Sequence, residues 1–493
     1  MNGLSTHIFL PFSIDLSKYL YMRILKSSFL IVVLLGFSQV LLGQKAATLQ
    51  GKIKRGKDDK AFVVWQVNPI APQAQLSAPI DKDGNFSLDI PLSQPQTVIF
   101  GTSQEQTELF LFPGETLTLN VDVKEFDESL TYEGGKSAAA SRFMIKWFLA
   151  HRDMGSQMQT MQKINGSESF DEAFQGVLER HAAEQEWIKA QMAEEKLPQA
   201  FVDYFQQDLQ YSHANDYSMT PAMFAYFKQV EVDKIGLSGD YFSFYQDIPL
   251  NNEAALGHGS YLEYVDAYLN HRLQGTGEMG ADQVFQQKFQ LAEEVLDSKA
   301  ETLVKAYLIK GVLDYGNPLV VQEVFPTLKE LEGGEDYYSM LEPSFEKAMS
   351  LAPGKPAPQF TLLDADGNEV TLDEFSGKIL YVDFWASWCG PCRGEMPYSR
   401  TLMEQYQDRG DIAFVFISID DDEAAWRKAM DEEKLGGVHL FSQGFGSEVP
   451  QAYNVSAIPN YFIIDRDGTI ADPFPPRPSD PNLAPLLDKL LAR

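Results

Sequence analysis

A multidomain chain is predicted, with a β-rich N-terminal sandwich, an all-α middle segment and a C-terminal α/β domain. Three observations carry that prediction. Up to residue 135 the apolar residues fall in short runs cut by turn chemistry; from 136 to 350 they recur at helical spacing; from 353 to 493 short apolar runs alternate with helical stretches. The length of 493 residues agrees, since ordinary domains hold roughly 100–200.

Residues 1–44 precede these units. Met22-Arg23-Ile24-Leu25-Lys26 sets positive charge ahead of an apolar run from Phe29 to Leu35, which continues with interruptions to Leu42. Small residues and Gln44 follow, the pattern of an export signal over residues 22–43 removed near Gly43. Residues 1–21 read as an upstream extension, as from a start at Met22. The signal holds no cysteine, which excludes lipid attachment there; an uncleaved signal serving as membrane anchor is the alternative to cleavage. No other apolar stretch is long enough to span a bilayer. The chain is expected to be exported, to the periplasm or cell envelope.

Residues 45–135 read as strands. Ala61–Val67, Phe86–Ile90, Thr97–Phe100, Glu108–Phe112 and Thr116–Val123 are separated by Asp83-Gly84-Asn85, Ser93-Gln94-Pro95 and Pro113-Gly114. Such close spacing suggests a small sandwich or barrel. The helical segment, 136–350, places Phe143, Trp147 and Phe148 on one side of a helix. Phe285, Phe289, Ala292, Leu296, Leu303 and Tyr307 recur at three- and four-residue steps or their multiples. Aromatic stripes of this kind are core. His7, His151, His181, His213, His258 and His271 show no close metal-ligand spacing, so no metal site is expected.

Ala352-Pro353-Gly354-Lys355-Pro356-Ala357-Pro358 cannot continue a helix and reads as a linker. Beyond it, Phe360–Leu363 and Glu369–Thr371 flank Asp366-Gly367 as a hairpin. Ile379–Trp385, Ala413–Ile419, Val438–Phe441 and Tyr461–Ile464 are apolar runs suited to strands buried on both faces. Helical stretches at 390–408, 422–434 and 481–492 intervene, which predicts a mostly parallel sheet covered on both sides.

A hydrophobic fraction of 44% and an aromatic fraction of 12% are those of a globular protein. The formal net charge of −30 argues against a nucleic-acid partner, which needs a concentrated positive surface. The chain has only 2 cysteines, Cys389 and Cys392. A bridge between them closes too small a loop to constrain the chain, so reactivity rather than stapling explains the pair.

In Val382-Asp383-Phe384-Trp385-Ala386-Ser387-Trp388-Cys389-Gly390-Pro391-Cys392-Arg393 a buried strand ends near Trp385 and a helix begins near Cys389. A sulfur at a helix N-terminus is favoured as thiolate. Cys392 falls one turn further in, on the same face and more buried. Gly390-Pro391 permits the tight entry. Cys389 is then the exposed nucleophile on a substrate disulfide, and Cys392 the shielded thiol that resolves the mixed disulfide. Asp383, a lone charge in an apolar strand, is expected to have a raised pKa and to accept the proton of Cys392. A zinc half-site lacks further ligands, and haem attachment would need His where Arg393 stands.

The run Trp385-Ala386-Ser387-Trp388-Cys389-Gly390-Pro391-Cys392, with Pro397 in the following helix, resembles the active-site signature of the thioredoxin superfamily. With the hairpin before it and the segment Asn454–Asp465 after it, the stretch 353–493 is similar to the extracytoplasmic TlpA/ResA-like branch. The resemblance implies a thioredoxin fold, a redox-active disulfide as the sole reactive group with no separate cofactor, and a cis Ile458–Pro459 bond facing the cysteines. It also implies that Trp388, Gly390, Pro391, Ile458 and Pro459 meet the substrate. Ala457 stands where Gly is common and Asn460-Tyr461 where Thr-Thr is common, which bears on partner choice. The β-rich segment is similar to a module that often precedes such domains.

The expected function is therefore an exported thiol–disulfide oxidoreductase that reduces disulfide-containing proteins and is recharged by an upstream thiol reductant. A disulfide oxidase or isomerase is one alternative. Another is an envelope protein that binds a protein or glycan and carries an accessory redox domain. A thiol peroxidase would need Thr where Ala386 stands.

Overall fold

A computed structural model describes residues 46–155, 157–275 and 279–493. The expected export signal and its upstream extension lie outside the described residues. Among those described, no helix is long and apolar enough to cross a membrane. Helices of nine residues or more are numbered below.

The chain divides into two compact units. One holds residues 46–275 and 290–304; the other holds 279–289 and 305–493.

The first unit opens with β1 (Ala46–Lys54), β2 (Lys60–Trp65), β3 (Ala74–Pro79), β4 (Asn85–Pro91), β5 (Gln96–Gly101), β6 (Gln106–Leu111), β7 (Thr116–Asp122) and β8 (Thr131–Glu133). They form two four-stranded sheets, ordered β4-β1-β7-β8 and β3-β2-β5-β6. Alternation sets the faces: Phe86, Leu88 and Ile90 of β4 point inward, while Ser87 and Asp89 are exposed. Ala61, Val63 and Val98 of the second sheet share one core with Leu49, Leu88 and Leu119 of the first, which makes a sandwich. The Asp83-Gly84-Asn85 turn closes as the sequence suggests. Asp81 Oδ1 accepts from the amides of Asp83 and Asn85, both at 2.8 Å, and Gly84 takes φ 86°. β1, β3 and β8 carry weaker β-branched runs and are additions to the sequence reading.

Helices follow: α1 (Gly135–Gly155), α2 (Gln157–Gly166), α3 (Phe170–Glu194), α4 (Gln199–Lys228) and α5 (Gly259–Arg272). Phe110 of β6 packs with Phe143, Phe201 and Phe205 in a buried cluster, with ring centroids 5.0–5.4 Å apart for the Phe110–Phe201, Phe143–Phe201 and Phe143–Phe205 pairs. Each fully buried ring stabilises the fold by roughly 1.5–3 kcal/mol. The stripe from Phe285 to Tyr307 spans two helices, α6 (Ala281–Val295) and α7 (Ser298–Tyr315), because the chain leaves helical geometry at Leu296–Asp297. α8 (Gly334–Met349) ends the helical run.

The second unit contains the sheet β10-β9-β13-β12-β11-β14-β15. Its strands are β9 (Thr361–Asp364), β10 (Glu369–Thr371), β11 (Ile379–Trp385), β12 (Ile412–Ser418), β13 (Val438–Phe441), β14 (Asn460–Ile464) and β15 (Ile470–Asp472). The helices are α9 (Gly390–Gln405), α10 (Glu423–Glu433) and α11 (Leu483–Leu491). The expected mostly parallel sheet is corrected to a mixed one. Only β11–β12 and β12–β13 are parallel, while β9–β10, β9–β13, β11–β14 and β14–β15 are antiparallel. Short turns at 365–368 and 465–469 cannot supply the crossover that parallel neighbours need. The stretch 352–358, expected as a linker, lies along β15. Gly354 N donates to Ile470 O at 2.8 Å, Ile470 N to Lys355 O at 2.8 Å, and Ala357 N to Gly468 O at 2.9 Å.

Candidate functional site

The site grows from the end of β11. All seven positions of this strand are buried, since it is flanked by β12 and β14 and covered on both faces. The loop Ala386–Trp388 leads from it into α9. Asp420, 1% exposed, braces that loop. Its Oδ2 accepts from Ser387 N at 2.9 Å and from Ser418 Oγ at 2.8 Å, while its Oδ1 accepts from Ser387 Oγ at 2.6 Å.

Cys389 is the N-cap of α9, with extended backbone at φ −81° and ψ 96°. Its Sγ accepts a hydrogen bond from Cys392 N at 3.1 Å. Gly390 and Pro391 form the first turn, where the proline's missing N–H has no helical partner to lose. Cys389 and Cys392 are joined as a disulfide, with Cα atoms 5.3 Å apart. The expected contrast between an exposed Cys389 and a shielded Cys392 is corrected for this oxidised form: they are 3% and 2% exposed. Cys389 packs in the buried core with Trp385, Ala386 and Cys392, and the motif's exposed residues are Trp388, at 60%, Gly390 and Pro391. Arg393 fixes the same turn through Nε to Glu433 at 2.8 Å and NH2 to Glu432 at 3.0 Å.

Asp383 is 3% exposed, and its Oδ1 has no hydrogen-bond partner among the described residues. Burial raises its carboxyl well above the ordinary range, and the nearby charge of Glu395 adds to the effect. Glu395 projects from α9 and accepts from Ser479 N and Ser479 Oγ, each at 2.9 Å. Tyr461 pairs opposite Asp383 in the β11–β14 ladder, and burial lifts its phenol as well, with Asp383 and Glu395 adding to the shift.

The Ile458–Pro459 bond is cis. Asn460 pairs with Phe384, so Pro459 falls level with Trp385, where the cysteine loop departs. Register alone thus brings Pro459, Asp383 and the Cys389–Cys392 turn to one end of the sheet. Sequence reasoning missed Asp420 and Glu395. Asp420 follows the apolar run of β12, where a carboxylate at a strand end was a readable signal; Glu395 lies in a polar helix and gave none.

The histidines show no close metal-ligand spacing along the chain, and the fold brings several of them together. His181, Glu184 and His213 place ligand atoms within 4.8 Å of one another, and His151 Nδ1 stands 3.3 Å from Glu184 Oε1. Three helices contribute them, so chain spacing hides the cluster; the readable trace is His181-x-x-Glu184 and His213-x-x-Asp216.

Residues 352–487 match the Redoxin family. The chain is 31% identical over 143 residues to thiol-disulfide oxidoreductase ResA of Geobacillus kaustophilus, covering 27% of this chain and 75% of that protein. It is 29% identical over 133 residues to ResA of Bacillus cereus, covering the same shares. The crystal structure of the thioredoxin domain of a Bacteroides vulgatus thiol-disulfide oxidoreductase is 31% identical, covering 28% of this chain and 98% of that one, with a TM-score of 0.26. Through its C-terminal domain, then, the chain belongs to the TlpA/ResA-like thiol–disulfide oxidoreductases of the thioredoxin superfamily.

Proposed function

We propose that the chain is exported and reduces disulfides of proteins in the cell envelope. Cys389 is the nucleophile, Cys392 the resolving thiol and Asp383 the proton acceptor. The observation that carries this reading is the capping sulfur of Cys389 with the Cys392 amide aimed at it from 3.1 Å. A thiolate at that position gains from the amide and from the helix N-terminus.

In the reduced enzyme, Cys389 thiolate attacks one sulfur of a substrate disulfide, forming a mixed disulfide and releasing the other substrate sulfur as thiolate. With Asp383 in its ionised form, Cys392 passes its proton to that carboxylate and attacks Cys389 Sγ. The second substrate sulfur leaves as thiolate, and the intramolecular disulfide is restored. An upstream dithiol returns two electrons and two protons to the enzyme. Trp388 and the Ile458–Pro459 backbone flank the attacked bond, and Gly390-Pro391 keeps the approach to Cys389 narrow.

The test is a trap. Cys392→Ala, expressed with the native signal, is expected to accumulate mixed disulfides in envelope fractions, and Cys389→Ala none. Adducts formed equally by both variants would refute the assigned order of the sulfurs. Direction is set by the equilibrium with glutathione: a reductase requires a potential well below the glutathione pool, and a value in the oxidants' range would overturn it.

A further inference from the structure

We propose that His181, Glu184 and His213 form a binding site for one divalent transition-metal ion of the zinc class. His181 and Glu184 lie three residues apart on α3, and His213 and Asp216 three apart on α4, so each pair shares a helix face. The two faces meet. His213 Nε2 stands 2.7 Å from Glu184 Oε2, and His181 Nε2 stands 2.8 Å from Asp216 Oδ2. The two imidazole rings stack with centroids 3.6 Å apart.

His181 and Glu184 are 4% and 2% exposed, and Glu184 Oε1 accepts no hydrogen bond among the described residues. His151 Nδ1 and Arg180 Nε approach that oxygen at ion-pair distances of 3.3 and 3.4 Å. A buried carboxylate oxygen aimed at imidazole nitrogens is costly as core and useful as a ligand. His181 Nδ1 is 3.1 Å from Tyr217 OH, a partner that fixes the ring, so Nε2 is the ligating atom once it is released from Arg180 and Asp216.

Two imidazoles and one carboxylate are the donor set of a three-ligand zinc site with one open position. Hard cations such as calcium or magnesium prefer all-oxygen shells and are disfavoured here. Arg180 is the competitor. Its NH2 lies 2.9 Å from His181 Nε2 and is ion-paired to Asp216, so the guanidinium holds the cluster together without an ion. Metal entry displaces it from His181 while Asp216 retains it, and turns one of the stacked rings so that both imidazole planes pass through the ion.

The test uses the whole oxidised chain, whose disulfide keeps both sulfurs from ligating, stripped with a chelator and titrated with Zn²⁺ and Co²⁺. One ion per chain is expected, and Co²⁺ should give the visible absorption of a tetrahedral site. Glu184→Gln and His213→Gln are expected to weaken binding on the order of 10²-fold, Tyr217→Phe about 10-fold, and Arg180→Gln to tighten it. X-ray absorption on the wild-type zinc form reads the ligands without any variant and should find two imidazoles. No stoichiometric binding, a shell without imidazole, or equal binding by Glu184→Gln and His213→Gln (ions held by the acidic surface) would overturn the site.

Discussion

The amide of Cys392 donates a 3.1 Å hydrogen bond to the sulfur of Cys389, so the first turn of α9 supplies a donor to the residue that caps it. On reduction the same amide favours negative charge on that sulfur. The Cys389 thiol is expected to titrate below the ordinary value of about 8.5, and Cys392, deeper in the helix, above it. Alkylation rates against pH in the two single-cysteine variants measure this. Identical, ordinary profiles would contradict it.

Asp383→Asn should separate stability from activity. Burial holds the Asp383 carboxyl well above its ordinary value, so the native protein keeps a proton that the unfolded chain releases near pH ~4. The stabilisation linked to that proton is complete below the unfolded value and is lost as pH rises through the native one. Asn abolishes the titration. Its melting temperature should exceed that of wild type at neutral pH, with the gap closing on acidification. Release of the mixed disulfide should slow on the order of 10²-fold in stopped-flow assays.

Glu395→Gln removes the like charge that adds to the Asp383 shift. The native carboxyl should titrate lower, and the rise of the resolving rate with pH should move to lower pH. Stopped-flow rates across a pH series read the displacement; an unmoved profile would mean that Glu395 has no influence on Asp383.

Asp420→Ala leaves Ser387 N and both serine hydroxyls without their acceptor. A loss of about 1–3 kcal/mol in urea unfolding is expected. Exchange should slow too, because the freed loop is the one that positions Cys389. Asp420→Asn, which keeps one acceptor, should fall between.

Phe143→Ala empties the centre of the aromatic cluster with Phe110, Phe201 and Phe205. Denaturant unfolding should register about 3–5 kcal/mol of lost stability, with the disulfide chemistry of the second unit unchanged.

Much of the second unit could be read along the chain because its signals are local. Ile379–Trp385 is an apolar run broken only by Asp383 and became β11 with those bounds, and Cys389 is set at the cap by the turn that follows. Strand direction was less legible, since it depends on which turns are too short for a crossover, as at 465–469. The deep placement of Cys389 was not legible either, since it depends on packing against Trp385 and Ala386 that residue type alone does not show. The His181–Glu184–His213 cluster was hidden for another reason: each helix carries half of it, and only the pairing of α3 with α4 brings the halves together.

The segment that pairs with β15 bears on any attempt to cut out the redox half. A fragment beginning after Pro358 would bare the Ile470 amide and the carbonyls of Ile470 and Gly468. That rim invites a second chain to add on as a strand. Precipitation of such a fragment would then reflect a missing border, and retaining the few residues from Leu351 onward should keep it in solution.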